Sequence, residues 1–380
     1  MKKAILNLPT ALYTGRGCRS GLAECIPQGA KVALVTDKGL VGAPPLDLVT
    51  TILDEADISW KLISDIDPNP DEETVLRVVK AVKAMKADVI VAIGGGSPLD
   101  TAKAAACMAR NDGPLSDYQW EGKPFANAPL PLYALPTTAG TGSEVTGVAV
   151  ITSRNMKKGI NAREIFPKAA FVDPELMLGL PPYLTAITGM DALTHAIEAY
   201  VGLGANPFSD ALCEKAIELI ADHLPRAFSY GGDIEAREAM GTASSLAGLA
   251  MDQAGLGIVH SLSSPVCAYL HVSHGLANAM LLPHGMRYNL PARHEKFAVV
   301  AELMGYDTTG MSPRDAAEAA VVAVEDLLEE LELGSAIEEV VHNAVDFEEF
   351  GNNASKMFLI RNNPRGADSK ACRSIFESIF

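Results

Sequence analysis

The sequence predicts an α/β N-terminal half followed by an all-α C-terminal half. Three observations predict it. Up to about residue 180, short β-rich runs alternate with helical stretches, the pattern of a mostly parallel sheet covered on both faces. Beyond residue 180 strand signals are scarce and helical runs follow one another. Between the two textures Gly179, Pro181 and Pro182 cluster, which places a boundary near Leu178–Pro182 and divides the 380 residues into 1–180 and 181–380. Two domains are also what this length leads one to expect.

The elements follow in order. Lys31–Thr36 (KVALVT) reads as a buried strand, Val49–Ala56 as a helix and Ile58–Leu62 as a second strand. Asp71–Met85 carries Val75, Val78, Val79 and Val82 at helical spacing. Asp88–Ile93 (DVIVAI) and Leu130–Leu135 complete the strands. In the second half, Leu184–Tyr200, Ser209–Ala227, Ile234–Met251, Pro291–Met304, Pro313–Glu330 and Asn352–Asn362 read as helices. There is no internal repeat and no low-complexity tract.

Composition narrows the class. Hydrophobic residues at 48% and charged residues at 21% suit a large core and argue against disorder. Lys plus Arg number 31 against 47 Asp plus Glu, a net charge of −16. That balance disfavours nucleic acid and anionic membrane as partners, because both need basic patches. No apolar run approaches the ~18 residues of a membrane span. Asn7 and Pro9 interrupt the apolar N-terminal stretch, and no signal cleavage site follows. The six cysteines form no CxxC pair and read as thiols of a reducing cytoplasm.

Two polar turns follow strands of the first half. Gly94-Gly95-Gly96-Ser97 comes directly after DVIVAI, and Asp100, Thr101 and Lys103 then begin a helix. Glycines let a phosphate approach the backbone, and N–H groups at a helix start attract anions. Lys103 is placed to add a cation. The spacing is neither GxGxxG nor GxxxxGK[ST], and a ligand-free strand-to-helix turn has the same look. Pro136–Glu144, with Thr137, Thr138, Thr141 and Ser143, follows the LPLYAL strand and suits a cofactor's ribose and phosphates, or is simply a hydroxyl-rich loop. Both turns lie where open α/β sheets bind ligands. Asp37, straight after KVALVT, suits the adenosine ribose hydroxyls, or a helix N-cap.

The second half concentrates histidines. Asp191 and His195 stand four apart, which puts both on one helical face, either to share an ion or as a cap and a surface histidine. His260 lies in apolar surroundings, where an unpaired imidazole is costly and a satisfied core histidine is the plainer reading. With His274, these four would make a His₃Asp set suited to Fe or Zn. His271 reads as surface or pocket wall, and His284 as pocket lining.

Long motifs join these pieces: GGGSPLDTAK (Gly94–Lys103), PTTAGTGSEVT (Pro136–Thr146), FVDPEL (Phe171–Leu176), GMDALTHAIEAY (Gly189–Tyr200), GIVHSLSSP (Gly257–Pro265) and HGLANAMLLPHGMRYN (His274–Asn289), with Asn363-Pro364-Arg365 near the end. In content and order they resemble the iron-containing alcohol dehydrogenases, the metal-dependent group III family, over essentially the whole chain. The resemblance implies a Rossmann-like N-terminal domain and an all-helical C-terminal domain, a dehydroquinate synthase-like fold, with the active site in the cleft between them. It assigns metal ligation to Asp191, His195, His260 and His274, the metal being Fe²⁺, with Zn²⁺ as the alternative. Pyrophosphate binding falls to Gly94, Gly95, Gly96 and Ser97, with Asp100 close by. Thr137, Thr138, Thr141 and Ser143 match nicotinamide-dinucleotide contacts, Lys158 a further one, and Asp37 the acid that favours NAD over NADP. Homo-oligomers, dimers or larger, are the family habit.

The resemblance also has gaps. Many relatives carry a histidine at the position of Ser264, where it is thought to relay a proton; here that role passes to water, a ribose hydroxyl or Ser264 itself. Val148 replaces a polar residue of some diol-reducing relatives. The expected activity is NAD(H)-linked oxidation of a small alcohol or reduction of a small aldehyde. Rival readings are a glycerol-type polyol dehydrogenase, a dehydroquinate synthase-like lyase, a reductase of aldehydes with an anionic head group, and a metal- and nucleotide-binding sensor without turnover. The lyase would need a Lys/Arg cluster near the metal ligands, and none is evident.

Overall fold

A computed structural model describes residues 6–154 and 156–380. The described residues divide into two compact units, one spanning Leu8–Leu180 and one spanning Pro181–Phe380 together with Leu6 and Asn7. Asn7 is tied to its unit by a reciprocal pair of hydrogen bonds with Gln253, each 3.2 Å.

Among its described residues the first unit is built on eight strands: β1 Ala11–Thr14, β2 Val32–Val35, β3 Trp60–Ile63, β4 Val89–Gly94, β5 Leu132–Pro136, β6 Val148–Ser153, β7 Met156–Asn161 and β8 Ala169–Val172. Six form one sheet in the order β1-β8-β5-β4-β2-β3, and every pairing in it is parallel. β6 and β7 form a separate antiparallel hairpin. The helices are α1 Leu22–Cys25, α2 Pro44–Glu55, α3 Glu72–Met85, α4 Gly96–Met108 and α5 Leu115–Trp120.

Strand composition explains the layering. β2 (VALV) and β4 (VIVAIG) are buried at every position, as a parallel strand covered on both faces must be. Val32 and Leu34 point into one core with Leu46, Val49 and Leu53 of α2. Ala33 and Val35 point into the other with Val75, Val78 and Val82 of α3. α2 begins at Pro44-Pro45, five residues before the expected start, since proline suits the first helical turn. The β6–β7 hairpin was not expected, nor were β1 and β8. β1 is an exposed edge strand of four residues, and β8 is Ala-Ala-Phe-Val, so neither offers a strong periodic signal. The FVDPEL segment that continues β8 is structural: buried Asp173 accepts hydrogen bonds from the Glu175 N–H and from Arg19 Nη1, at 3.1 and 2.7 Å.

The second unit is helical among its described residues: α6 Pro182–Val201, α7 Pro207–Ser229, α8 Ile234–Ala254, α9 Ile258–Leu270, α10 His274–Leu303, α11 Pro313–Glu330, α12 Gly334–Val341, α13 Phe347–Lys356 and α14 Ser369–Glu377. α9, most of α10, α12 and α14 lie beyond the predicted helices, and the helix predicted at Asn352–Asn362 overlaps only the end of α13. α10 breaks at Arg293, whose φ of −148° is non-helical, two residues after Pro291 removes a donor from the ladder. Close helix approach rests on glycines. A Cβ at Gly189 would meet Leu224 Cδ1 at 2.3 Å, and one at Gly275 would meet the Ile187 carbonyl oxygen at 2.3 Å. The start of α10 therefore lies directly against the backbone of α6. No helix among the described residues is long and apolar enough to cross a membrane.

A buried polar cluster ties α4 to the hairpin. Lys103 is 1% exposed, and its ammonium donates to the Ser143 carbonyl at 2.8 Å and the Val148 carbonyl at 2.5 Å. Asp100, 3.9 Å from that ammonium, accepts from Ser143 Oγ at 2.5 Å and the Val150 N–H at 2.9 Å. Burial pushes the Asp100 carboxyl up, and Lys103 and these donors oppose it. Lys103→Met should lower the unfolding free energy by about 3–5 kcal/mol, because removing one partner of a buried pair strands the other. An unchanged urea midpoint would overturn that account.

Candidate metal centre and cofactor turns

α6 supplies Asp191, His195 and Glu198, spaced four and three apart and therefore on one face. α9 supplies His260 in its first turn, and α10 begins with His274. The close approach at Gly275 brings His274 to the face of α6 that carries Asp191. The Nε2 atoms of His195, His260 and His274 lie 3.8, 3.9 and 3.8 Å from Asp191 Oδ1. Asp191, His195 and His260 present ligand atoms that all fall within 4.8 Å of one another. The rings of His195 and His260 stack at 4.8 Å, and His260 meets His274 edge-on at 5.2 Å. Asp191, His195 and His260 are buried, while the His274 side chain keeps 42% of its surface.

Glu198 organises the centre without pointing into it. Its Oε2 lies 2.6 Å from His260 Nδ1, and its Oε1 accepts the Val259 N–H at 2.6 Å. α9 has no side-chain cap of its own at Gly257; its first N–H groups are satisfied by Glu198 and by Asn363 Oδ1, which accepts from Ile258 at 3.2 Å. A carboxylate beside Nδ1 accepts a hydrogen bond from it and keeps the ring proton on that nitrogen, so the Nε2 lone pair of His260 faces the centre. Burial by itself pushes the Asp191 carboxyl up, but His195, His274, His260 and the Asn278 amide outweigh it and hold it below its ordinary value. One ionised carboxylate and three imidazoles around a common point form a donor set that fits Fe²⁺ or Zn²⁺. Sequence reasoning did not single out Glu198 or Asn278. The signal for Glu198 was present, as the third acid-or-imidazole position on the Asp191 face.

Two further histidines were singled out in the sequence, His271 and His284. His271 is exposed at the end of α9 with a φ of 55°. His284, on α10, is partly buried, and burial together with Arg287 pulls its pKa below the ordinary value. Ser264 lies one turn beyond His260 on α9 and is partly exposed.

In the first unit the two glycine-bearing turns lie side by side. Gly94 ends β4 with a φ of 142°, and a Cβ there would meet Pro98 Cγ at 2.4 Å, so only glycine fits. A Cβ at Gly96 would meet Thr141 Cγ2 at 2.9 Å, and one at Gly95 would touch Thr138 at 3.4 Å. The Thr137 N–H donates to the Gly94 carbonyl at 3.0 Å. α4 starts at Gly96-Ser97 with no side-chain cap and no acid in its first turn, which suits a phosphate. Asp37 caps the short turn Lys38–Leu40, its Oδ1 accepting the Gly39 N–H at 2.8 Å, while Oδ2 faces Gly94. Both readings of Asp37 are therefore compatible. Lys103 is not turned to a phosphate; it is consumed in the interior cluster with Asp100 and Ser143. Asp100 and Ser143 meet in that cluster, Ser143 Oγ donating to Asp100 Oδ1 at 2.5 Å. Thr141 Oγ1 accepts from the Ser143 N–H at 3.3 Å. Lys158, on β7, lies over the Trp120 ring with its ammonium 4.2 Å from the centroid.

A parallel sheet with a glycine turn after β4, and helices converging on a His₃Asp cluster, define a metal-dependent oxidoreductase of the dinucleotide-using kind. The chain belongs to the iron-containing alcohol dehydrogenase family. The iron-containing alcohol dehydrogenase family model matches residues 9–174, and the family's C-terminal model matches residues 185–380. The chain is similar to the NAD-dependent methanol dehydrogenase of Bacillus methanolicus, at 41% identity over 95% of each chain. It is also similar to the 1,3-propanediol dehydrogenase of Klebsiella pneumoniae, at 40% identity over 93% of this chain and 92% of that one. Its fold matches a crystal structure of a 1,3-propanediol oxidoreductase with a TM-score of 0.96, at 38% identity and full coverage of both chains.

Glu198→Gln keeps an acceptor for the α9 N–H groups but weakens the hold on the His260 tautomer. Metal affinity, read by competition with a chromophoric chelator, should fall about 10–100-fold. Wild-type affinity in the variant would show that Glu198 does not orient the ligand.

Proposed function

We propose that this chain interconverts a small primary alcohol and its aldehyde, using NAD(H) and a divalent ion, Fe²⁺ in preference to Zn²⁺. The observation that carries the reading is the convergence of Asp191, His195, His260 and His274 on one point, with His260 held by Glu198. The relatives' own substrates, methanol and 1,3-propanediol, and the NAD dependence of the first, support the size of the substrate and the choice of cofactor.

When bound, the ion supplies electrophilic polarisation of the substrate oxygen, and the nicotinamide supplies or accepts hydride. The chain's own residues set the conditions. Asp191 contributes the one negative charge among the ligands. Glu198 keeps the His260 lone pair turned inward. Ser264, partly exposed, is offered as the hydroxyl that passes the proton toward solvent. In the first unit, Gly94, Gly95, Gly96 and Ser97 are assigned to the pyrophosphate, Thr137, Thr138 and Thr141 to the nearby cofactor groups, and Lys158 to a further contact. Asp37 is assigned to the adenosine ribose, where its charge opposes a 2′-phosphate. We extend the reading to a homo-oligomer, with β1 at the sheet edge as the surface available for pairing. We also place the protein in a reducing cytoplasm, the compartment that suits six cysteines with no CxxC pair.

Reconstituted anaerobically with Fe²⁺, the protein should consume NADH with at least one short-chain aldehyde and lose that turnover on chelation. Full turnover after verified metal removal would sink the reading. Asp37→Asn keeps the cap on Gly39 but removes the charge. It should shift the NADPH-to-NADH preference in kcat/KM by roughly tenfold toward NADPH, equivalent to about 1.4 kcal/mol. An unchanged ratio would remove Asp37 from the specificity assignment.

A further inference from the structure

One buried polar group faces the metal centre without being one of its four ligands. Asn278 lies one turn after His274 on α10 and is 0% exposed. Its Nδ2 is 2.7 Å from Asp191 Oδ1, 3.1 Å from His260 Nε2 and 3.1 Å from His274 Nε2. All three contacts are ligand atoms. An amide NH₂ carries two hydrogens, so three acceptors share two donors. The reversed amide would set a carbonyl oxygen against the Asp191 carboxylate, and lone-pair repulsion selects the nitrogen end. This orientation leaves Asn278 Oδ1 buried without a hydrogen-bond partner. A bare buried carbonyl is unfavourable, and the contacts made by the nitrogen are what sustain it.

The electrostatics give the amide a job. Without an ion, a buried carboxylate and inward imidazole lone pairs repel one another. The NH₂ is the positive end of a dipole placed among them. His260 fits this role, because Glu198 holds its proton on Nδ1 and leaves Nε2 as an acceptor.

We propose that Asn278 is a positioning residue of the metal centre. Its N–H groups hold Asp191, His260 and His274 in a converging arrangement before a divalent cation arrives. The hydrogen bond to Asp191 persists once the imidazole lone pairs pass to the cation. The proposal rests on the metal-centre reading above.

The test compares wild type, Asn278→Ala and Asn278→Asp in full-length protein, with Co²⁺ and Zn²⁺ as probes. Affinity is read by chelator competition, and ligand geometry by the Co²⁺ absorption bands. Asn278→Ala should bind both ions about 10–100-fold more weakly and change the Co²⁺ bands. Asn278→Asp keeps the size but sets a second carboxylate against Asp191. At mildly alkaline pH its metal-free form should melt lower than wild type, and metal should raise its Tm by more than it raises that of wild type. Wild-type affinity together with unchanged Co²⁺ bands in the alanine variant would overturn the proposal. So would an aspartate variant whose metal-free and metal-bound melting match wild type, a result that also decides the matter if the alanine variant does not fold. Failure of the wild-type chain to bind either ion would overturn the metal-centre reading and this proposal with it.

Discussion

The contact between Glu198 and the start of α9 is the constraint on which the second unit's chemistry depends. A carboxylate leaving α6 accepts the Val259 N–H and faces His260 Nδ1 through its two oxygens. The first of these satisfies a helix end that lacks its own cap, and the positive end of the α9 dipole welcomes the charge. The second fixes which nitrogen of His260 is left for an ion. Helix placement and ligand electronics are therefore one interaction. Gly257 is part of it, since a Cβ there would lie 3.1 Å from Glu198 Oε1 and 2.9 Å from Asn363 Oδ1.

The cofactor turns of the first unit follow the same logic with other residues. Gly94 brings β4 to its end in a conformation side chains avoid, and the threonines of the neighbouring turn fill the space that Gly95 and Gly96 leave open. Beneath them Lys103, Asp100 and Ser143 replace what is elsewhere an apolar interior. A turn braced from below in this way is shaped before any dinucleotide arrives, so less ordering remains to be done on binding.

Much of this was legible in sequence. Uninterrupted apolar runs such as VALV and VIVAI allow little but buried parallel strands. The four-residue spacing of Asp191 and His195 places both on one helical face. Other parts were hidden for identifiable reasons. Pro265, Pro283 and Pro291 lie inside helices, where a proline in the sequence argues for a break. Lys103 stands near a glycine turn and invites a phosphate role, but α4 carries it inward to the Ser143 and Val148 carbonyls. Glu198 and Asn278 are residue types with many structural uses, and much of their meaning lies in contacts such as Glu198 to Val259 and Asn278 to Asp191, 61 and 87 residues away in the chain. Spacing cannot report such distances; the motifs that contain them do so only as whole units.

The partial exposure of His274 has a consequence of its own. Three of the candidate ligands are buried, and the fourth keeps a solvent-facing side. In the metal-binding reading, that imidazole is the natural first bond to open and last to close. Entry and loss of an ion would then begin at the first turn of α10, with the buried donors on α6 and α9 left in place.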